Sequence, residues 1–474
     1  MPAIVYRFVR DLRLDDHAGL AAAAAQGEIL PVLVIDRALE ERLARSPRRA
    51  AFFCRAVAAL DALLRERGVG LIVRRGKPGA ALRAIARATG AVGAVWSASY
   101  DRTGMRADER LQSELEEAGL LGLAVHDAPA VPPEETAAAR PSEGDGYRAF
   151  VPYFDVWRDR NVASYEAPLL LHFARRDLQS EPLPTPGEFG SAVTLEPETA
   201  APAAALQTFL DGPGLQYAVA ANVPAEDRTS HLAAPLSFGT IAARTVVRET
   251  LRRADDPFLL AEERSSLRLF LRSLALRDFF LQLGWYHPRT DDLPLQEKMH
   301  DFAFASSHPA LEAWRNGETG YPLVDAGVRQ LRATGWMHPR VRAIAASFLC
   351  FDLGVDWRVG RAAWDELLVE DDPAIATGNW QWIAGVGADM AQYPRIYNPR
   401  KQARRFDPRG TYARTWVSEL AHAPAGALPG GTRTPSSQLS LAFFAADAYP
   451  QPVVDHEHAA REFLTRYRTH VRAR

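Results

Sequence analysis

The stretch Gly317-Glu318-Thr319-Gly320-Tyr321-Pro322-Leu323-Val324-Asp325-Ala326, which runs on to Thr334-Gly335-Trp336-Met337-His338, decides the fold of this chain. Within it, Leu323–Thr334 carries apolar residues at helical spacing, and so do Ser265–Leu283 before it and Arg340–Leu353 after it. Further motifs follow in order: Asp356-Trp357-Arg358, Gly378-Asn379-Trp380-Gln381-Trp382, Arg395-Ile396-Tyr397-Asn398-Pro399 and Phe406-Asp407-Pro408. From about Leu206 onward strand patterns vanish, which predicts an all-α domain over residues 206–474. After Leu420 a Pro/Gly/Ser-rich linker leads to one basic amphipathic helix, His456–Arg474.

Toward the N-terminus the pattern changes. Residues 131–205 are rich in Pro, Glu, Ala and Ser, and Arg176–Gly187 holds three prolines without periodicity. This predicts an extended inter-domain linker, interrupted by a short ordered piece at Gly146–Trp157. Over residues 1–130 short apolar runs alternate with amphipathic stretches. Strands are expected at Ala3–Phe8, Ile29–Asp36, Gly70–Arg75, Ala91–Ser99 and Leu123–Asp127. Helices are expected at Leu20–Ala25, Arg48–Arg67, Gly79–Thr89 and Met105–Ala118. Such alternation gives an α/β domain with a doubly wound parallel sheet, which binds ligands at the carboxyl ends of its strands.

Composition narrows the function classes. The 474 residues are 47% hydrophobic and 24% charged, which is ordinary for a globular chain long enough to bury a large core. No run of about 18 apolar residues exists to span a membrane, and the start lacks a signal-peptide pattern. The only cysteines, Cys54 and Cys350, are too few for an iron–sulfur cluster and suit a reducing cytoplasm. The net charge of −2 gives no global pull on nucleic acid, so any DNA contact must come from a local basic patch. Lysine occurs only at positions 77, 298 and 401; arginine supplies the rest of the positive charge. There is no G-x-S-x-G, H-E-x-x-H or Walker loop. Gly385-Val386-Gly387-Ala388 lacks the strand and the third glycine of a dinucleotide fingerprint. His287, His300 and His308 lack helical spacing, and no metal site is expected.

The six ordered motifs resemble the FAD-binding domain of photolyases and cryptochromes. Arg10-Asp11-Leu12-Arg13-Leu14-Asp15-Asp16 resembles that family's opening and Tyr449-Pro450-Gln451-Pro452-Val453-Val454-Asp455-His456 its end, so the resemblance spans the chain. It implies an N-terminal α/β domain, a long linker and a helical FAD domain, in agreement with the periodicity.

The resemblance also implies a site. Tyr217 and the run Thr229-Ser230-His231-Leu232-Ala233 stand where the family holds the FAD phosphates; His231 and Ala233 depart from its Thr-Ser-Arg-Leu-Ser. Hydroxyls and amides at a helix start suit a diphosphate, and equally an ordinary N-cap. Arg277 matches an arginine near the phosphates. Arg342 matches one near the flavin ring, with Glu370 where Asp is usual, and Asp372 matches the acid at the pyrimidine edge. Ala376 falls at the position facing flavin N5, where it offers no hydrogen bond; Thr377 is the neighbour that could.

Trp380 and Trp357 match the first two members of the family's electron-carrying tryptophan chain, but Phe304 replaces the third. Trp364 and Tyr393 are other candidate exits. Without the motif context these aromatics would read as core. In the pocket where dimer photolyases bind a flipped lesion, Ser273, Leu276, Pro339 and Ala343 replace the usual Glu, Trp, Asn and Met. Trp382 survives there, and His338 could donate a proton. Arg340, Arg395, Arg400, Lys401, Arg404 and Arg405 would meet DNA phosphates, or form a solvated charged face. Tyr100, Asp101, Arg106 and Asp108 stand where an antenna chromophore sits, be it deazaflavin, folate or flavin. The implied function is that of a FAD-dependent blue-light flavoprotein, a monomer whose reduced FAD passes an electron to a lesion in damaged DNA. The replaced pocket residues argue against ordinary cyclobutane-dimer repair. The alternative is a cryptochrome-like photoreceptor without repair activity.

Overall fold

The computed structural model describes residues 1–138, 145–165, 171–176, 178–193, 201–388, 394–421 and 449–472. Tyr393 and the Pro/Gly/Ser-rich start of the tail lie outside them. The chain forms two compact units: residues 1–215, 230–291 and 369–375 make the first, and residues 216–229, 292–368 and 376–474 the second.

Five parallel strands build the sheet of the first unit: β1 (Ala3–Phe8), β2 (Glu28–Ile35), β3 (Ile72–Arg75), β4 (Gly93–Ser97) and β5 (Leu121–Val125). Their order is β3-β2-β1-β4-β5. β1 and β2 read as nearly unbroken apolar runs because helices cover both faces of a parallel sheet. The helices expected between the strands are α1 (Ala18–Ala24), α2 (Pro47–Glu66), α3 (Pro78–Thr89) and α4 (Arg102–Glu116); a further helix, Arg37–Arg45, capped by Asp36, was not expected. Each expected strand and helix of this region is present, with ends shifted by a few residues. The punctuation is chemical. Pro47 and Pro78 sit in the first turns of α2 and α3, where the missing N–H costs nothing. Gly90 closes α3 at φ 71°, a left-handed conformation that favours glycine.

The segment expected to be a bare linker packs on this sheet. Phe173 pairs in parallel with Ile29 at the start of β2. Glu181 donates its N–H to the Val73 carbonyl (3.2 Å), and the Ser180 hydroxyl accepts from the Val73 N–H (2.9 Å). Two prolines and a charged residue in Glu181-Pro182-Leu183-Pro184 then stop further pairing, a common way to blunt an edge. The piece expected at Gly146–Trp157 is helical from Phe150 to Trp157. The longest helix of the unit, α5 (Ala261–Tyr286), presents Gly284 to the loop after β4: a Cβ there would stand 2.2 Å from the Tyr100 carbonyl oxygen.

In the second unit the core gathers around α6 (Pro322–Thr334), α7 (Pro339–Ser347), α8 (Trp357–Asp365) and α9 (Pro373–Ala384), whose first three residues belong to the other unit. In the deciding stretch, Pro322 opens α6 and Gly335 ends it at φ 75°, its N–H on the Leu331 carbonyl. The helix expected over Arg340–Leu353 is α only to Ser347; Phe348–Asp352 continues as one π turn. Inserted turns of this kind are frequent where a side chain must be re-aimed, and here the turn ends on the buried carboxyl of Asp352. Helices α10 (Pro399–Phe406) and α11 (His456–Arg472) also belong to the unit, as do the short helices Leu311–Asn316, which carries Trp314, and Thr411–Trp416.

Candidate flavin and photochemical site

In the first unit the strand order reverses between β1 and β4, and the crevice beyond their carboxyl ends is the expected ligand position of such a sheet. A pocket of about 30 Å³ opens there, lined by Arg10, Tyr100, Asp101, Ser237 and Asp372 among others. Arg10 organises it: its guanidinium lies 3.5 Å from Asp101 and 3.6 Å from Asp372 and donates to the Asp371 carbonyl. Burial pushes the Asp372 carboxyl up, while Arg277 and Arg10 pull it back. Burial would raise Asp371 too, yet Arg42, Arg10 and Arg49 hold it below the ordinary carboxylate range. Arg277 donates to the Ala128 carbonyl at 2.8 Å. Sequence reading singled out Asp372 and Arg277, which interact here, but gave no role to Arg10 or Asp371. An arginine paired with a remote run of three acids, residues 370–372, has no local signature.

Of the four residues expected around an antenna, Tyr100 and Asp101 line this pocket, Tyr100 bonding His126 Nδ1 at 2.7 Å. Asp108 instead accepts from Trp96 Nε1 (3.0 Å) and the Ser99 N–H (2.8 Å). Arg106 lies on α4.

Deeper in the same unit the opening motif forms a buried ion network. Asp127 accepts from Arg13 and Arg244, each at 2.7 Å, and those cations hold it far below the ordinary range despite burial. Asp11 bonds Tyr6 and Ser97 and lies 3.4 Å from His17 Nε2. Asp11, His17 and Asp127 are close enough to share an ion. The arginine, tyrosine and serine partners already give the two carboxylates hydrogen bonds and counter-charge, as buried charges require.

The expected phosphate turn is polar and oddly shaped. Asp227 and His231 both hold positive φ, 44° and 51°. Around them the Thr229 hydroxyl reaches Asp227 at 3.4 Å, and the Ser230 hydroxyl accepts from the Leu232 N–H at 3.5 Å. Bonds this long leave both hydroxyls able to turn toward an anion. Tyr217 opens a single turn, Tyr217–Ala220. Glu370 precedes α9, and its carbonyl accepts from Arg49 at 3.3 Å.

In the second unit, Ala376 and Trp380 share one face of α9, one turn apart. Thr377 is buried, its hydroxyl accepting from Arg361 at 2.5 Å. Arg342 donates to the Met337 carbonyl at 2.8 Å. His338 is fully buried at the cap of α7, its Nδ1 accepting from the Arg340 N–H at 3.2 Å. Arg340 is held by Asn222 Oδ1 at 2.6 and 3.0 Å and by the ring of Phe406, 4.7 Å away. Arg395, Arg400, Lys401, Arg404 and Arg405 are exposed, the last four on α10, which contains no acidic residue. Trp380 touches Trp364, with ring centroids 4.6 Å apart, and Trp364 stacks on Trp314 at 5.7 Å. Trp357 is buried, and Trp382 is half-buried on α9. Phe304 packs on Phe302 and Phe463. Of the altered pocket positions, Ser273 and Leu276 lie on α5, Ser273 donating to the Phe270 carbonyl, and Pro339 and Ala343 lie on α7.

A parallel α/β unit with its crevice at the switch point, and a helical unit with packed tryptophans and a cationic helix, are the features to set beside known proteins. Comparison with known proteins identifies the class. Residues 4–169 match the family described as DNA photolyase, and residues 270–469 match the FAD binding domain of DNA photolyase. A deoxyribodipyrimidine photo-lyase of Halobacterium salinarum is 36% identical over 480 residues, 97% of each chain. A cryptochrome of Synechocystis superimposes with a TM-score of 0.86 at 26% identity, covering 99% of both chains. An archaeal photolyase from Sulfolobus tokodaii, solved with two FAD molecules, gives 0.82 at 26% identity over 98% of this chain and 100% of that one. The chain belongs to the photolyase/cryptochrome family of FAD-binding flavoproteins.

Proposed function

We propose that this protein is a light-driven DNA repair enzyme whose substrate is not handled through the usual cyclobutane-dimer contacts. FAD, when bound, supplies the light-excited electron. Tyr217, Thr229, Ser230, His231, Leu232 and Arg277 bind its phosphates, and Arg342, Glu370, Asp372 and Ala376 surround its ring. Trp382 stacks on the flipped base and His338 stands by as a proton donor. Arg340, Arg395, Lys401 and Arg404 bind the DNA backbone. The observation that carries the reading is α10: four exposed cations and no acid on one short helix, in a chain of net charge −2. That is the local patch a near-neutral protein needs to hold DNA.

Along the chain the proposed working parts follow in order: an antenna-type stretch over residues 1–130, a connection over 131–205 and a FAD-binding stretch over 206–474. The protein acts as a cytoplasmic monomer. The crevice by Tyr100 and Asp101 is the place proposed for a deazaflavin, folate or flavin antenna; as it stands it has room for a few waters.

The second reading, a cryptochrome-like sensor without repair, is favoured by the four replaced positions Ser273, Leu276, Pro339 and Ala343. One experiment separates the two. The purified protein, with FAD confirmed by absorbance and reduced, is illuminated with blue light beside a UV-damaged oligonucleotide. Light-dependent loss of lesions establishes repair, and Leu276→Trp should then improve turnover of cyclobutane dimers. Intact FAD without lesion loss moves the assignment to the sensor.

A further inference from the structure

An amide buried in an apolar helix face is costly unless its polar atoms are occupied, so what occupies them shows what it joins. Gln330 is such a residue, 4% exposed in the otherwise apolar run of α6. Its Oε1 accepts from two other elements: the Tyr412 hydroxyl donates at 2.6 Å and the His338 N–H at 3.0 Å. Both partners are donors, so the amide can face them only with its oxygen. Tyr412 belongs to the short helix Thr411–Trp416, and Asp407 holds the start of that helix. The Tyr412 and Ala413 N–H groups donate to the Asp407 carboxylate at 3.1 and 2.9 Å. Asp407 follows directly on Phe406, the last residue of the cationic helix α10, and His338 is the N-cap of α7. A line of hydrogen bonds through four buried residues, Asp407, Tyr412, Gln330 and His338, therefore runs from the end of α10 to the start of α7. A second link runs beside it, where the Arg340 guanidinium lies 4.7 Å over the Phe406 ring.

We propose that Gln330 and Tyr412 are positioning residues: they hold the His338–Pro339 turn in register with the phosphate-gripping helix, and this register lets the protein prefer damaged over undamaged DNA. This rests on the reading that α10 holds DNA phosphates and that the His338 turn faces the damaged base. The cations of α10 set where the DNA backbone lies but carry no information about damage. A base displaced from the stack is received only where the turn that meets it stands at the right distance from the gripped phosphates. Gln330 and Tyr412 are buried and touch no DNA; they act through the backbone. The Gln330 oxygen fixes the His338 N–H. The His338 carbonyl accepts from the Val341 and Arg342 N–H groups at 2.9 and 3.0 Å, so the first turn of α7 goes where His338 goes. Removing the Tyr412 hydroxyl leaves the Gln330 oxygen with one of its two donors, which loosens the turn and changes no charge on the surface.

The test is an equilibrium titration of the purified full chain, in the dark, with two duplexes of one sequence, plain and UV-damaged. No photochemistry enters the readout. Tyr412→Phe should bind the plain duplex within about twofold of wild type, because the phosphate contacts are untouched. Its preference for the damaged duplex should fall about three- to tenfold, the worth of one hydrogen bond. Gln330→Met, similar in shape but without the amide, should lose the preference at least as far. Gln330→Glu should keep it, because a carboxyl oxygen still accepts from both donors. If the two residues served stability alone, urea midpoints and both affinities would fall together, and Gln330→Glu would do no better than Gln330→Met. That result overturns the proposal, and so does an unchanged preference in Tyr412→Phe; either leaves the repair reading standing. A wild-type protein that binds both duplexes equally, or neither, overturns the repair reading and the register with it. Where Gln330→Met does not fold, Tyr412→Phe decides, since it removes only the hydroxyl.

Discussion

His456 Nδ1 stands 2.6 Å from Asp352 Oδ1, joining the first residue of α11 to the last residue of the π turn. The Asp352 carboxyl is buried, which pushes it up to about 6 even though His456 pulls it back. A carboxyl raised on folding favours the protonated protein, so its contribution is fully present below the unfolded value near 4 and is lost as pH rises through 6. The stability of wild type relative to Asp352→Asn should therefore fall by about 3 kcal/mol from pH 4 to 6, using 1.36 kcal/mol per pKa unit. Urea unfolding of both proteins at stepped pH checks this.

The opposite sign is expected at Glu419. Arg329 grips it with two hydrogen bonds, 2.6 and 2.8 Å, and holds its carboxyl down at about 2. The stabilisation is present above the unfolded value and is lost as pH falls toward 2. The pair is partly exposed, so screening limits it to about 1 kcal/mol. Glu419→Gln should cost that much at pH 7 and nothing at pH 2, measured against wild type in denaturant titrations.

Gly360 has no room for a methyl group: a Cβ would meet Trp380 at 2.3 Å and Leu349 Cδ2 at 2.4 Å. Gly360→Ala should destabilise by about 1–3 kcal/mol through overpacking, outweighing the gain in helix propensity. Tryptophan fluorescence during unfolding would show both the lost stability and the displaced ring.

On α10 the exposed Lys401 and Arg404 are expected to touch phosphates without reading sequence. Each change to alanine should weaken binding of damaged and undamaged duplex alike, and lower the slope of log affinity against log salt by about 1. Binding titrations between low and moderate salt measure it. Arg340→Ala differs, because its guanidinium also holds Asn222 and the Phe406 ring; it should lose stability as well as affinity.

Much of this architecture was legible along the chain. β1 and β2 stand out because a strand buried on both faces is almost wholly apolar, and α6 is marked by Pro322 and Gly335. The ordered motifs around Trp357 and Trp380 pointed to the family without any structure. What escaped were relationships between residues far apart in sequence. Arg10 meets residues 371 and 372 only because β1 ends where the acidic run arrives. The stretch after residue 170, read as plain linker, lies on β2 and β3 because their free backbone groups needed partners.

The tryptophans divide the same way. The sequence placed Trp357, Trp364 and Trp380 in an expected all-α domain, since helical periodicity is a local property of the backbone. Which of them touch was decided in three dimensions: Gly360 leaves the slot, two arginines close over Trp357, and Trp314 comes from a helix more than forty residues earlier to stack on Trp364. Local sequence sets where a side chain points from its own helix. Only packing to interior density, which forbids two groups the same space, sets what it meets.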